Sequence, residues 1–170
     1  MEGKKKIQVK YPEIAEEILR RAEVDQEMRG KSQEEASWDD NIDKENTEWM
    51  KKIVDEIGWP SKSLVGESAS YMAWLLVQHA DHDPVFQEQC LERMKKFSDK
   101  EVETENIAYL EDRVRRAKGL PQLYGTQFMP DEQGNYIPQP IEDSEHVNER
   151  RKAMGLNSLE EYAKGFSKRK

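Results

Sequence analysis

The sequence has little cysteine and no long apolar run, and both absences restrict what the protein can be. Cys90 is the only cysteine of the 170 residues, which excludes an internal disulfide and a multi-cysteine metal site and is typical of a reducing compartment. The longest apolar stretch, residues 71–77, is far shorter than the ~20 residues that a membrane span needs. The basic start is followed by no apolar run, so we expect no secretory signal, a cytoplasmic location and no membrane partner.

The composition is poor in apolar residues and rich in charge. Hydrophobic residues make up 35% of the chain and charged residues 36%, so we expect thin layers of helices with much solvated surface. The net charge of -8 disfavours a nucleic-acid partner, because binding to phosphates needs positive charge. The basic clusters lie near the two ends, which predicts a flexible lead over residues 1–10, one helical domain over 11–166 and a basic tail over 167–170.

The first third of the chain has the apolar spacing of two helices. Apolar residues recur at helical intervals between Pro12 and Arg29, and proline is favourable in a first turn, so this segment is predicted to be a helix. Residues 30–39 lack periodicity and are predicted to be a connector. A second apolar stripe predicts a helix over residues 42–57 that ends at Gly58.

The middle of the chain predicts three more helices. Residues 67–80 are apolar nearly all round, which is typical of a helix surrounded by protein. Asp83 and Pro84 are a capping residue and a first-turn proline, and an amphipathic pattern follows them. A further helix is predicted over residues 105–118, with apolar residues between Ile107 and Ala117, and it ends at Gly119.

The last third of the chain begins with a proline-rich segment, because four of the seven prolines lie in residues 121–140. Two extended runs flank a turn-forming segment there, which predicts a small β-hairpin or an ordered loop near residues 125–138. Asp143 or Ser144 caps another helix, and a capping box at Ser158 begins a last one. The predicted fold class is therefore mainly α, a single-domain array of about six to seven helices with this hairpin.

Polar residues that can perform chemistry crowd together at the end of the most apolar helix. Gln78, His79 and Asp81 fall within one turn there. We expect His79 to be partly buried, to be oriented by Asp81 or by Asp112 of a later helix, and to act as a general acid or base. The alternative is a structural histidine with satisfied hydrogen bonds. The His-x-Asp-His spacing matches no metal signature, so we expect neither a metal ion nor a cofactor.

The helix over residues 105–118 and the loop after it carry the remaining candidates. Asp112 and Arg113 fall off the apolar stripe of that helix, so they are either solvated charges or part of a pocket in which Arg113 clamps an anion. Gly125 in the loop would let a ligand approach closely. The alternative is that the loop's polar side chains only satisfy its backbone. Three such loop residues are candidates for ligand binding: Gln122, Tyr124 and Gln127.

Four blocks of sequence, taken together and in order, resemble a known family. They are Gln78-His79-Ala80-Asp81, Asn106-x-Ala108-Tyr109-Leu110-x-Asp112-Arg113, Pro121-Gln122-x-Tyr124-Gly125-Thr126-Gln127, and Arg150-Arg151 before Gly155. Over residues 66–162 the chain is similar to a family of bacterial proteins known as a domain of unknown function. The first 60 residues resemble that family only loosely, through Asp25 and Arg29. The resemblance implies no activity, only that polar residues cluster in motifs. The family-like positions are Gln78, His79, Asp81, Asn106, Tyr109, Asp112, Arg113, Gln122, Tyr124 and Gln127.

Two functional hypotheses follow from these candidates. In the first, His79, Asp112, Arg113 and the loop 122–127 form a polar pocket that binds a small polar molecule or a peptide end, with acid or base chemistry at His79. In the second, the protein is a non-catalytic interaction or scaffolding domain, and these residues form a structural network. Whether the protein is an enzyme is left open between them.

Overall fold

The computed structural model describes residues 9–35 and 39–166 of the chain. Within these residues it has eight α-helices and one two-stranded antiparallel hairpin, so the predicted mainly α fold is confirmed. None of the described helices is long and apolar enough to cross a membrane. Contacts divide the chain into two compact units, residues 1–102 and 103–170. The single domain over 11–166 stays a prediction, and most of the basic lead and the whole basic tail lie outside the described residues.

The first unit is built on a long helix that runs parallel to a shorter, buried one. Near the start of the long helix, Tyr11 donates its backbone N–H to the carbonyl of Leu64 at 2.9 Å, just before the buried helix begins. The core between them contains Ile18, Ala22 and Ala73. The helices of this unit are α1 (Pro12–Glu35), α2 (Asp40–Ile57), α3 (Lys62–Val65), α4 (Glu67–Gln78) and α5 (Pro84–Met94).

The predicted starts of α1, α2, α4 and α5 are confirmed, whereas the short α3 was not predicted and one predicted end is wrong. Helix α1 continues to Glu35 and does not stop near Arg29, because residues 30–35 contain no proline and are mostly good helix formers. Only residues 36–38 separate it from Asp39, and they lie outside the described part. Asp39 caps α2 by accepting the backbone N–H of Asn41 at 2.9 Å, and α2 ends at Gly58, as predicted.

Helix α4 is the most apolar element, but protein does not surround it completely. Ala73 and Val77 are fully buried, whereas Tyr71 is exposed, so the expectation of burial on every side is wrong for one face. After α4, the carboxylate of Asp83 accepts the backbone N–H of Phe86 at 3.0 Å and Pro84 occupies the first turn of α5. The predicted cap of α5 is therefore confirmed.

The second unit combines three helices with the predicted hairpin. Its elements are α6 (Thr104–Ala117), β1 (Phe128–Pro130), β2 (Tyr136–Pro138), a 3-10 turn (Ser144–His146), α7 (Val147–Ala153) and α8 (Leu159–Lys164). The strands pair antiparallel with Met129 opposite Ile137. Ser158 caps α8 by accepting the backbone N–H of Glu161 at 3.2 Å, so the last capping signal is confirmed. The helix expected after Asp143 begins instead as the 3-10 turn.

One face of the hairpin packs on aromatic side chains of α8 and its end. Phe128 stacks on Phe166 with ring centroids 4.2 Å apart, and Tyr136 stacks on the same ring at 6.1 Å. Phe128 also meets Tyr162 edge to face at 5.6 Å. This cluster explains how strands of only three residues are stable, because an isolated short hairpin is marginal in water.

Candidate functional site

Four charged or titratable side chains meet in the first unit, around the end of α4. Asp25 and Arg29 come from successive turns of α1, Asp43 from the first turn of α2, and His79 from the position directly after α4. The carboxylate of Asp25 is fully buried, while 17% of the His79 side chain is exposed. We call these four residues the His79 cluster.

The His79 cluster is held together by short polar contacts. His79 Nδ1 lies 2.9 Å from Asp25 Oδ2, and Arg29 Nη2 lies 3.0 Å from Asp25 Oδ1. The same Nη2 donates to Asp43 Oδ1 at 2.6 Å. The guanidinium of Arg29 therefore bridges two carboxylates, while the imidazole shares one of them.

The contacts of His79 engage one ring nitrogen and leave the other available. Nδ1 accepts a hydrogen bond from Arg29 Nε at 3.0 Å and also lies 2.9 Å from Asp25 Oδ2. The Asp25 carboxylate favours a proton on Nδ1, whereas the Arg29 N–H favours a lone pair there, so Nδ1 is engaged in either tautomer. No described residue forms a hydrogen bond with Nε2. Nε2 is therefore the ring nitrogen that can exchange a proton with a bound molecule.

Burial and nearby positive charge shift the pKa values of the two carboxylates in the His79 cluster in opposite directions. Burial alone would raise the pKa of Asp25, but hydrogen bonds from His79 and Arg29 outweigh it and lower the pKa to about 2. Burial raises the pKa of Asp43 against the opposing effect of Arg29. Asp25 is therefore the permanent negative charge beside the imidazole.

The partner of His79 differs from both predicted partners. We expected Asp81 or Asp112 to orient the ring, but the structure gives that contact to Asp25. The exposed Asp81 instead accepts a hydrogen bond from Gln87 Nε2 at 3.2 Å. The periodicity of α1 contained a signal for Asp25, because it follows Ile18 and Ala22 on the buried stripe of that helix.

Gln87 and Gln78 explain part of the motif around His79. The buried amide of Gln87 donates to the carbonyls of Val77 and Gln78 at 3.1 and 3.3 Å, so it caps the last turn of α4. Gln78, predicted to bind a ligand, is also buried, and its Nε2 has no hydrogen-bond partner among the described residues. Its role as a ligand contact stays a prediction.

The His79 cluster also contains the one group of side chains in the described chain that could hold a metal ion. Ligand atoms of Asp25, Asp43 and His79 lie within 4.8 Å of one another. The Arg29 guanidinium already forms ion pairs with both carboxylates, so a metal ion would compete with it for the same oxygens. From the sequence, we expected no metal ion at a different group of residues, the His-x-Asp-His segment that contains His79 and Asp81.

In the second unit, Asp112 organises the loop that follows α6. Its side chain is fully buried, although the helical pattern placed it off the apolar stripe. Oδ1 accepts the backbone N–H groups of Leu123 and Tyr124 at 2.7 and 3.0 Å, and Oδ2 accepts the N–H and the hydroxyl of Thr126, both at 2.9 Å. Burial raises the pKa of Asp112 against these four hydrogen bonds.

The side chains of Gln122 and Gln127 form hydrogen bonds within the same loop. The Gln122 amide is fully buried, accepts the N–H of Gln127 at 2.7 Å and donates to the carbonyls of Gln127 and Gln139 at 3.0 and 2.9 Å. Gln127 donates its own side-chain amide to Thr126 Oγ1 at 3.1 Å. These contacts support the alternative in which the loop's polar side chains satisfy its backbone.

Two arginines from α7 fix the other side of the loop. Arg151 is fully buried, donates to the carbonyl of Tyr124 at 2.6 Å and lies over the ring of Tyr162 at 4.9 Å. Arg150 donates to the carbonyl of Leu123 at 2.8 Å. Tyr124, a predicted ligand contact, therefore has both its backbone N–H and its carbonyl bound within the protein.

Gly125 is required where this loop turns. Its φ is +65°, and a Cβ added there would lie 2.7 Å from Ile141 Cδ1 and 3.0 Å from Leu159 Cδ1. The backbone conformation disfavours any other residue, and two apolar side chains fill the space. The room that the sequence suggested for a ligand at this glycine is occupied by the protein itself.

The remaining candidates lie on α6. Asn106 is buried, Arg113 is half-buried, and Tyr109 meets Tyr162 edge to face at 6.1 Å. Their roles in ligand binding, including the anion clamp at Arg113, stay predictions. A pocket that joins His79 to the α6 residues also stays a prediction, because it depends on the placement of one unit against the other.

A family profile matches residues 12–168, which is nearly the whole chain. The chain belongs to DUF6624, a family of unknown function. The predicted membership in a family of this kind is confirmed, and the DUF6624 match extends beyond the 66–162 resemblance to include Asp25 and Asp43. No curated protein and no solved structure matches the chain.

Proposed function

We propose that this DUF6624 protein binds a small polar molecule or a peptide end beside His79 and that His79 transfers a proton through Nε2. One observation carries the proposal. Asp25 is buried and holds Nδ1 of the ring, while Nε2 has no hydrogen-bond partner among the described residues and the side chain is partly exposed. A histidine held in this way has one fixed and one available nitrogen, which is what a general base needs.

The charges of the His79 cluster support the same role. With a neutral imidazole, the two carboxylates outweigh the single guanidinium of Arg29 by one negative charge. A proton taken up on Nε2 brings the cluster to neutrality, so protonation of the ring is compensated within the site. In the proposed step, Nε2 takes a proton from water or from a hydroxyl group of the bound molecule and later returns it.

The test uses His79→Asn and a reactive ester, p-nitrophenyl acetate. The asparagine amide nitrogen occupies nearly the position of Nδ1 and can still donate to Asp25, whereas Nε2 is removed. If His79 acts as a base, it takes a proton from the water that attacks the ester carbonyl, and acetate and p-nitrophenolate are released. We expect the protein-dependent hydrolysis rate to fall by about tenfold or more in the variant, within the range for loss of a general base.

His82→Asn is the matched control, because His82 is exposed and lies three residues further along. It should keep the wild-type rate, and Asp25→Asn should lower the rate as His79→Asn does. Equal rates for wild type and His79→Asn would remove the proposal. A large loss of stability in His79→Asn together with an unchanged rate per folded molecule would identify His79 as structural.

A second candidate function is favoured by the loop of the second unit. The side chains of Asp112 and Gln122 form their hydrogen bonds with the loop, mostly with its backbone. This supports a non-catalytic interaction domain with these residues as its structural network. In that case Asp112→Asn should lower stability and leave ester hydrolysis at His79 unchanged. The two candidates are compatible, because they concern different units of the chain.

A further inference from the structure

One face of the second unit's hairpin contacts the aromatic cluster, although Tyr136 on that face is still 42% exposed. The opposite face, which we call the bare face, has none of these ring contacts among the described residues. Side chains alternate along a strand, so Phe128 and Tyr136 point to the aromatic cluster, while Met129 and Ile137 point the other way. Met129 and Ile137 are cross-strand partners and are 42% and 47% exposed. Apolar side chains that sit directly opposite each other form a continuous surface.

A shallow cavity of about 390 Å³ lies in the same unit, at the end of α6. Leu120, Pro121 and Pro140 supply its apolar walls, and Arg116 and Gln139 supply polar groups. Arg116 connects the cavity with the bare hairpin face, because its Nη2 lies 3.2 Å from Met129 Sδ. We call this combined surface the Arg116 patch; it consists of Arg116, Leu120, Met129, Ile137 and the cavity walls.

Arg116 differs from the arginine beside it. Arg115 donates to the carbonyl of Pro121 at 2.6 Å and forms an ion pair with Glu142. Arg116 has only the thioether of Met129, a weak acceptor, and no carboxylate among the residues that the structure describes. In a chain with a net charge of -8, an arginine without a carboxylate partner at an apolar surface indicates a partner that supplies one.

We propose that the Arg116 patch binds the C-terminal end of a peptide that finishes in an aliphatic residue. The terminal carboxylate pairs with both nitrogens of the Arg116 fork, the aliphatic side chain enters the cavity against Leu120 and the prolines, and the Gln139 amide meets the last peptide group. Exposed arginine and methionine beside an apolar centre are typical of protein interfaces. The cavity volume lies in the range of ligand pockets.

The chemistry of the Arg116 patch favours a peptide over other anions. A phosphate group carries up to two charges and needs several donors, whereas the patch has one guanidinium and mostly apolar walls. A nucleic acid would need a row of cations, which the patch does not have. The inference goes beyond the proton transfer at His79, uses none of the same residues, and stands if that proposal fails.

The test is an NMR titration of the full-length, isotope-labelled chain with N-acetyl-leucyl-leucine and with its C-terminal amide. We expect the acid to shift the Gly119 and Leu120 amides and the side-chain signals of Arg116 and Gln139 in a saturable way. The amide should bind at least tenfold more weakly, because it cannot form the ion pair. Arg116→Gln should weaken binding of the acid by a similar factor, which corresponds to about 1.4 kcal/mol.

Two further variants make the result decisive. Arg93→Gln removes the same charge from an exposed arginine of the first unit, and it should bind the acid like wild type. Leu120→Ser leaves the guanidinium in place but removes an exposed apolar wall, so it should also weaken binding, and it serves if Arg116→Gln does not fold.

Three results would overturn the proposal. The first is the lack of saturable shifts at about 20 mM peptide, well above the millimolar Kd that about 4 kcal/mol of binding energy produces. The second is equal binding of acid and amide. The third is a concentration-dependent dimer, seen by light scattering and lost in Arg116→Gln, which would show that a second copy of the chain covers the patch.

Discussion

Replacement of Asp25 by asparagine tests the electrostatics of the His79 cluster most directly. The variant keeps the shape of the buried side chain but removes the negative charge that faces His79 and Arg29. A change of one pKa unit corresponds to about 1.4 kcal/mol, so a pKa lowered from 3.8 to about 2 contributes about 2 kcal/mol of stability near neutral pH. We expect Asp25→Asn to lose about this amount, and somewhat more if Arg29 is left poorly paired.

The pH dependence provides a second, independent signature. Because the pKa of Asp25 is lower in the folded state, its contribution is fully present above pH 3.8 and is lost as the pH falls toward 2. The wild-type and variant stabilities should therefore differ at pH 7 and converge as the pH approaches 2. Urea unfolding followed by tryptophan fluorescence measures this, since all four tryptophans lie in residues 1–102, the unit that contains Asp25.

Asp55→Asn is the control for this experiment, because Asp55 lies on α2 with 81% of its side chain exposed and a single arginine 4.0 Å away. It should change stability by no more than about 0.5 kcal/mol. If Asp25→Asn matches this control at pH 7, or if the wild-type and Asp25→Asn curves stay parallel down to pH 2, the ion pairs of the His79 cluster do not stabilise the fold as described.

Three other variants or probes test the loop and the core. Gly125→Ala should cost about 1–3 kcal/mol in urea unfolding, because it combines a positive φ with contacts to Ile141 and Leu159 that are too short. Asp112→Asn should cost about 3 kcal/mol in denaturant unfolding followed by far-UV circular dichroism, since an amide group then faces backbone donors. The control Asp131→Asn, at a half-buried turn residue, should cost clearly less. Burial raises the pKa of Cys90 to about 12, so a disulfide reagent at pH 8 should label it only after denaturant is added, and rapid labelling of the native protein would contradict its placement.

The helix boundaries could be predicted well wherever a local signal existed. Asp83 and Ser158 accept backbone N–H groups of the first turn that follows them, within three residues along the chain. Such contacts depend on neighbouring residues alone, so they can be predicted from the local sequence. The end of α1 had no such signal, and its polar final turns resembled a loop.

The candidate sites were harder to predict because their contacts join distant segments. Asp112 appeared exposed on the helical pattern, yet a loop that starts ten residues later covers it. His79 was identified correctly as partly buried, whereas its partner Asp25 lies 54 residues earlier. Periodicity indicates which face of a helix is buried, but it does not indicate which charged groups from other helices meet there.

The carboxylate of Asp112 has a consequence for the kinetics of hydrogen exchange. Residues 123–127 belong to no helix or strand, and such a segment ordinarily exchanges its amide hydrogens quickly with solvent. Here three of those amides, at Leu123, Tyr124 and Thr126, are bound to a carboxylate that is itself sealed from water. Their exchange must wait for an opening of α6 and the loop together, so an irregular segment should be protected like a helix.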